Sequence, residues 1–353
     1  MKILFVVDSL CGGGAGRVVS RIANELVNSN HDVAILPLFS KEITYPVSKK
    51  VHVFSNFSDA LSVSVRQRIK LIRRVACEFK ADTVISFLSY INIYTILASL
   101  GSKWKTIISE RNDPHLEPKT KSIRLLRHIL YPFANGCVFQ TIDAREYFAK
   151  NITRKGIVIS NPVSEDIPPR YKGIRKRKIV SAGRLTAQKN YVLAINAVAR
   201  VLYKYPEYIY EIYGEGEERE NLVALINKLG MENRILLKGH VDNLMECIRD
   251  ASVFLLSSDY EGMSNSLLEA LAMGIPTIST NHPIGGAKSL IKTGYNGILT
   301  PINDENAMID ALEYLITNPN IAEEMGERAE RLREELSVQN ITQQWLSFIS
   351  ESC

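Results

Sequence analysis

Short continuous apolar runs alternate along this chain with longer stretches in which apolar residues recur three or four positions apart. The runs have strand length, and the stretches have the period of helices with one buried face. Residues 2–8 (KILFVVD) open the series, and Val18, Val19, Ile22, Ala23 and Leu26 mark the helix that follows. Further strands are predicted at 32–38, 83–87, 106–109, 136–139 and 156–160. A second series begins at 179–182 and continues at 208–213, 234–238, 252–258 and 275–280, with closing helices at 305–315 and 321–336. Strands that are apolar throughout are covered on both faces, which is the condition of a parallel sheet between helices. The pattern therefore predicts α/β architecture with two doubly wound domains. Residues 166–178 (DIPPRYKGIRKRK), rich in proline, glycine and charge, read as the linker, and the domains are placed at 1–163 and 164–337.

Two helical stretches of the first half are basic. Residues 64–79 set Val65, Ile69, Ile72 and Ala76 at helical spacing, with Arg66, Arg68, Lys70, Arg73 and Arg74 on most other positions. Residues 119–133 set Ile123, Leu126, Ile129 and Leu130 on one stripe beside Arg124, Arg127 and His128. Each alone reads better as a core-facing stripe with a solvated basic face. Together they accompany a charge split: residues 1–160 hold 23 Lys and Arg against 12 Asp and Glu, a balance of +11, and residues 161–353 hold 20 against 26, a balance of −6. The first half is thus suited to an anionic membrane surface, a lipid pyrophosphate or nucleic acid, unless the charge serves solubility alone. No aromatic platform interleaves the basic residues and no nucleic-acid motif is present, so we expect lipid and not nucleic acid, with Arg66, Lys70, Arg73, Arg74, Arg124 and Arg127 as the acceptor-side or membrane-side cations.

With 353 residues, 46% of them hydrophobic, the chain can bury two cores. Cys11, Cys77, Cys137, Cys247 and Cys353 are scattered, without a C-x-x-C pair or zinc-like spacing, which fits a reducing compartment. The chain enters a strand at once, and no apolar run approaches the roughly 20 residues of a membrane span. A cytoplasmic location is expected, with peripheral attachment to the inner face of the cytoplasmic membrane as a further expectation.

The chemistry gathers at residues 260–274 (YEGMSNSLLEALAMG), between the strands predicted at 252–258 and 275–280. Ser264 or Asn265 suits the N-cap, and Gly274 with Pro276 stops the helix. The loop 261–265 then lies at a strand's carboxyl end and a helix's amino end, where free N–H groups and the helix dipole favour an anion. Glu261 and Glu269 stand eight residues apart, and ionised carboxylates suit hydroxyl donors. Glu269, among Leu267, Leu268, Leu271 and Ala272, is either a solvated helix residue or a buried acid that needs a partner. After the strand at 179–182, Gly183, Arg184, Leu185 and Lys189 put two cations at another presumed carboxyl edge, where they would face a diphosphate or stand as surface charges. Gly214, after the strand at 208–213, and Gly239-His240-Val241, after the strand at 234–238, mark two more strand ends.

The sequence EGMSNSLLEALAMGIP, with G-R-L-x4-K at 183–189, resembles the E-x7-E signature and diphosphate-binding pair of retaining glycosyltransferases of family 4. The resemblance extends over almost all of the chain and implies the GT-B fold, two Rossmann-like domains facing a central cleft. It implies that residues 338–353, carrying Trp345, pack back on the first domain. By the same resemblance Arg184 and Lys189 stabilise a leaving diphosphate, Glu261 holds a donor-sugar hydroxyl and Glu269 the ribose. Ser264, Asn265, Ser266, Leu267 and Leu268 offer amides to phosphate, and uracil is read around Gly239, His240 and Val241. The glycine run 11–17 (CGGGAGR) opens the first helix but misses G-x-G-x-x-G at Arg17, so a dinucleotide reading is weak. In the family such a loop, here Gly13, Gly14 and Gly16, faces the donor. Arg111 occupies a place where many members have histidine; it reads as a phosphate or acceptor contact, or as part of a turn set by Asp113-Pro114.

The implied activity is transfer of a hexose or N-acetylhexosamine from a UDP-sugar to a glycan hydroxyl, with an acceptor carried on polyprenyl diphosphate, in bacterial surface polysaccharide or glycoprotein-glycan assembly. No cofactor is expected beyond the UDP-sugar co-substrate, and no metal, since no D-x-D occurs. The competing readings are a non-catalytic sugar-nucleotide-binding subunit of the same fold and a nicotinamide dehydrogenase.

Overall fold

A computed structural model describes residues 1–54 and 64–352, so Cys353, placed above in the tail segment, lies outside the described residues. The chain divides into two compact units, Met1–Pro162 with Leu336–Cys353, and Val163–Glu335. Each is built on one wholly parallel sheet. In the first, β1 (Lys2–Val7), β2 (Asp32–Pro37), β3 (His52–Val53), β4 (Thr83–Phe87), β5 (Lys105–Ser109), β6 (Gly136–Phe139) and β7 (Gly156–Val158) lie in the order β3-β2-β1-β4-β5-β6-β7. In the second, β8 (Lys176–Ala182), β9 (Ile209–Tyr213), β10 (Ile235–Gly239), β11 (Ala251–Leu256), β12 (Thr277–Thr280) and β13 (Ile298–Thr300) lie in the order β10-β9-β8-β11-β12-β13. The order reverses between β1 and β4 and between β8 and β11, the switch points at which loops part and ligands enter doubly wound sheets.

Central strands are apolar on both faces because helices cover both faces. Ile3, Phe5 and Val7 belong to one core with Val18, Ile22 and Leu26 of the helix Gly14–Asn28, whereas Leu4 and Val6 pack with Ile72 and Val75 of the helix Val65–Phe79. That second helix starts in a capping box: Gln67 N–H donates to Ser64, and Ser64 N–H donates to the Gln67 side chain. The helix Val338–Glu351 returns to the first unit, where Trp345 is fully buried and its ring stacks on Phe87 at 5.7 Å. A Cβ on Gly136 would stand 2.7 Å from the Phe348 ring, so the bare backbone of β6 is the seat of this helix.

Two expectations are corrected. Residues 166–178 are not a free linker: Lys176–Lys178 begin β8, and the arginines before them are anchored in the second unit. Arg170 pairs with Glu323 and, at 3.2 Å, with Glu330; Arg175 pairs with Glu323 at 2.7 Å and donates to the Gly274 carbonyl at 2.7 Å. The composition resembles a linker because the segment is a polar strap, with Arg170, Arg175, Lys176 and Lys178 held by tertiary partners. The helix expected at 321–336 is also broken, into Pro319–Glu330 and Leu332–Glu335.

Trp345→Ala should destabilise the first unit by about 3–5 kcal/mol, the cost of emptying a large buried aromatic site. Chemical denaturation followed on that unit measures it, and a change within error would show that the tail helix is dispensable.

Candidate functional site

The carboxyl edge of the second sheet is made of main chain pressed against main chain. Gly183 N–H donates to the Tyr213 carbonyl at 2.9 Å, and Gly214 N–H to the Gly239 carbonyl at 2.8 Å, which ties the residues just past β8 and β9 to the ends of β9 and β10. Gly214 adopts φ +135°, and a Cβ there would lie 2.0 Å from the Gly183 carbonyl oxygen. Only glycine meets both conditions. Lys189 closes the short helix Ala187–Lys189 and lies over Gly183, whose added Cβ would stand 3.4 Å from Nζ. Its ammonium pairs with the Glu261 carboxylate, and the Ser258 hydroxyl donates to the same carboxylate at 3.1 Å. Both side chains are largely buried, at 12% exposure each, so the ion pair is only weakly screened.

The loop after β11 is stitched to the loop after β8 across the switch point. Asp259 N–H donates to the Gln188 carbonyl at 2.9 Å, the Gln188 amide to the Tyr260 carbonyl at 2.8 Å, and the Ser257 hydroxyl to the Lys189 carbonyl at 2.8 Å. Asn190, at φ 45°, caps the helix Tyr191–Lys204 and donates to Asp259 at 2.7 Å. The helix Asn265–Ala272 starts here. Its N-cap, Ser264, makes no side-chain bond to the first-turn amides; its hydroxyl lies 3.2 Å from that of Ser266, which donates to the Ala182 carbonyl at 2.8 Å. Asn265, half-buried, opens this turn; Leu267 and Leu268 are core residues and can offer a ligand main chain only. Glu269 is buried on the same helix, which answers the open reading in favour of the buried acid. Arg184 is exposed, and no described residue pairs with its guanidinium. His240 is exposed too, 3.7 Å from Asp242, and Val241 is half-buried beside it.

In the first unit the glycine loop follows β1. Gly13 is the N-cap of the helix Gly14–Asn28, and a Cβ on Gly16 would stand 2.3 Å from the Ser9 carbonyl oxygen. Tyr45 latches this loop, its hydroxyl accepting from Gly13 N–H at 2.7 Å and donating to the Gly13 carbonyl at 2.9 Å. Nothing in the sequence marked Tyr45. Arg111, after β5, lies over the rings of Phe87 and Trp345 at 4.4 and 5.6 Å and donates to Asn161 at 3.0 Å. No described carboxylate accompanies it, its Nε and Nη2 make no hydrogen bond, and burial pulls its guanidinium down to about 9. Arg111 is thus a cation packed on two aromatic rings with donors to spare.

Two of the six cations assigned to a lipid-facing surface, Arg127 and Arg124, are corrected. Arg127 is fully buried: it lies 3.5 Å from Glu110 and donates to the carbonyls of Glu117 and Pro114 at 2.9 and 2.8 Å. Tyr131 and Ser89 also donate to Glu110, yet burial outweighs these partners and raises the Glu110 carboxyl. Arg124 is half-buried and donates to the His115 carbonyl at 2.8 Å, and Arg73 donates to the carbonyls of Ala98 and Leu100 at 3.2 and 2.9 Å. These guanidiniums close loop and helix ends because orphan carbonyls there need donors. Arg66, Lys70, Arg73 and Arg74 are exposed on the helix Val65–Phe79.

Two parallel units with glycine-lined carboxyl edges define the GT-B class, and comparison with known proteins agrees. The family described as Glycosyl transferases group 1 matches residues 165–332. A Campylobacter jejuni enzyme named GalNAc-α-(1→4)-GalNAc-α-(1→3)-diNAcBac-PP-undecaprenol α-1,4-N-acetyl-D-galactosaminyltransferase is 31% identical over 99% of each chain. A second from that organism, N-acetylgalactosamine-N,N′-diacetylbacillosaminyl-diphospho-undecaprenol 4-α-N-acetylgalactosaminyltransferase, is 26% identical over 91% of each. Among solved structures, Anabaena HepE in complex with UDP has a TM-score of 0.82 at 18% identity, over 99% of this chain and 100% of that one. Sucrose-phosphate synthase of Thermosynechococcus elongatus has a TM-score of 0.85 at 12% identity, over 99% of both. The chain belongs to the group 1 glycosyl transferases.

Gly214→Ala tests the edge against Gly230→Ala. Gly230 has φ +63° with open space around its missing side chain, so alanine should cost only the left-handed penalty of about 1–2 kcal/mol. Gly214→Ala should cost more; equal losses in thermal unfolding would show that the close approach is not needed.

Proposed function

We propose that the protein is a retaining glycosyltransferase of family 4 that transfers a hexose or N-acetylhexosamine from a UDP-sugar to a hydroxyl of a lipid-linked glycan. The observation that carries this reading is the Lys189–Glu261 pair at the glycine-lined edge beside the start of the helix Asn265–Ala272. Without donor, the lysine neutralises the carboxylate. A donor diphosphate would draw the ammonium of Lys189, with Arg184 beside it, and release Glu261 to accept from a sugar hydroxyl. The first-turn amides of the helix would meet phosphate oxygens, and Glu269 the ribose. Charge developing on the leaving diphosphate is then met by groups already in place, which is where such sites gain most of their rate. These cations supply the positive charge a metal would give, so the reaction should proceed in a chelator. With both carboxylates of this set assigned to hydroxyls, none is left as the nucleophile of a double displacement, which favours attack on the sugar face the diphosphate leaves.

The acceptor reading draws on the relatives. Two Campylobacter jejuni enzymes similar to this chain are named for acceptors on diphospho-undecaprenol, and one spans nearly its full length. Among the described residues no helix is long and apolar enough to cross a membrane, so a lipid-linked acceptor implies work at a membrane surface, which we place at the inner face of the cytoplasmic membrane. Arg66, Lys70, Arg73 and Arg74 are the exposed cations for that encounter, and Arg111 is suited to a phosphate.

Thermal unfolding with UDP, GDP, ADP and NAD side by side tests the donor. At 100 times its dissociation constant a ligand adds about 2.7 kcal/mol, a shift of a few degrees for a chain of this size. UDP alone should shift the midpoint; a shift with NAD alone would overturn the reading. Lys189→Ala should lower turnover by about 10²-fold or more, the scale of removing one preorganised charge-stabilising group. Near-native turnover would remove Lys189 from its role.

A further inference from the structure

The inward turn of Arg127 has an outward counterpart. Ile123, Leu126, Arg127 and Leu130 face the first unit from the helix Lys121–Leu130, and the opposite line is Lys121, Leu125 and Ile129, continued by Phe133 in the turn Tyr131–Phe133. A spacing of four keeps these positions on one face. Leu125 is 64% exposed, Ile129 56% and Phe133 62%. One such residue on a surface is ordinary, but three in line form an apolar ridge that water disfavours.

Cations stand at both ends of the ridge. Lys119 and Lys121 are exposed at its start. At its other end Lys155 donates to the carbonyls of Pro132 and Ala134 at 3.0 and 3.3 Å, which puts its ammonium beside Phe133, and Lys150 and Arg154 are exposed nearby in the chain. Of the acids between 116 and 155, only Glu146 is exposed. Apolar tips between cations match the layering of an anionic bilayer, phosphate outside and acyl chain beneath. A convex ridge also needs no preformed groove in a fluid partner, as it would in a folded one.

We propose that Leu125, Ile129 and Phe133 are the point at which this protein enters an anionic lipid surface, with Lys119, Lys121 and Lys155 on the lipid phosphates. The inference rests on the lipid-linked acceptor reading for its purpose, while its physical basis needs neither donor nor acceptor. It assigns the docking to hydrophobic insertion by the helix Lys121–Leu130, on the side opposite Arg127.

The test is cosedimentation of the full chain with vesicles of phosphatidylglycerol and phosphatidylcholine, compared with phosphatidylcholine alone, in the absence of any sugar donor or glycan. Wild type should be retained on the anionic vesicles. The triple variant Leu125→Ser, Ile129→Ser, Phe133→Ser should keep its unfolding midpoint and partition about tenfold or more weakly, since each exposed side chain forfeits its apolar burial in lipid. Phe133→Trp should gain an emission blue shift and quenching by brominated acyl chains. Failure of wild type to bind, or equal retention of the triple variant, overturns the proposal. So does a self-associating wild type whose triple variant is monomeric but still binds vesicles, because the ridge would then serve a second copy. Turnover on a short soluble acceptor is a separate measurement: its loss would remove the transferase reading and leave the vesicle result standing.

Discussion

At the carboxyl edge of the second sheet, one strand end fills the space where its neighbour would carry a side chain. The Gly183 carbonyl stands where a Cβ of residue 214 would be, the Leu185 carbonyl blocks residue 216, and the Gly262 carbonyl blocks residue 286. Parallel strands diverge in their loops unless such contacts hold them, and here the loops after β8, β9, β11 and β12 are held within hydrogen-bonding reach. The position of Lys189 over Gly183, and hence its pairing with Glu261, depends on this close approach. A largely buried ion pair is weak evidence for stability, because desolvation offsets its attraction. Its value at this edge lies in holding two opposite charges ready for a ligand that can separate them.

The first unit keeps its order by a different device, a buried polar network. Asn92 donates to Tyr131 at 3.0 Å and to the Ser109 carbonyl at 3.0 Å, Tyr131 and Ser89 donate to Glu110, and Arg127 lies opposite that carboxylate. Such a network is costly if incomplete and specific if complete. It fixes the rotation of the helix Lys121–Leu130, because only one face can deliver a guanidinium to Glu110. The Arg127 fork also holds the carbonyls of Pro114 and Glu117, so the segment after β5 that carries Arg111 is braced by the same residue. Core charge, loop position and surface character are thereby one decision.

The strands were legible because both faces of a parallel sheet are dry, which writes an unbroken apolar run such as 2–7 into the sequence. The strand-loop-helix unit around 260–274 was legible for a related reason: a strand end, a cap and a glycine stop are all local. The carboxylates Glu261 and Glu269 and the cation Lys189 stood out as polar groups at strand ends and helix starts. Their partners did not. Ser258, Gln188 and Asn190 are ordinary residues until two loops far apart in the chain are brought together.

The misreadings have one cause. Helical periodicity counts Ile129 with the apolar stripe and Arg127 with the polar face, yet the structure turns Arg127 inward and Ile129 out, since a buried glutamate from β5's end outweighs the hydropathy of one isoleucine. Residues 166–178 likewise have the composition of a linker, but Arg170 and Arg175 find carboxylates on the helix Pro319–Glu330. By itself the sequence determined most strands and helices, though not the short edge strands β3 and β13, that two sheets form, and which strand ends carry charge, because these follow from local periodicity and capping. The pairing of Lys189 with Glu261, the latch of Tyr45 on Gly13, the burial of Arg127 and the exposed line from Leu125 to Phe133 were decided only by tertiary structure. Each depends on where a distant segment supplies a donor, an acceptor or a wall, and one-dimensional pattern holds no such distances.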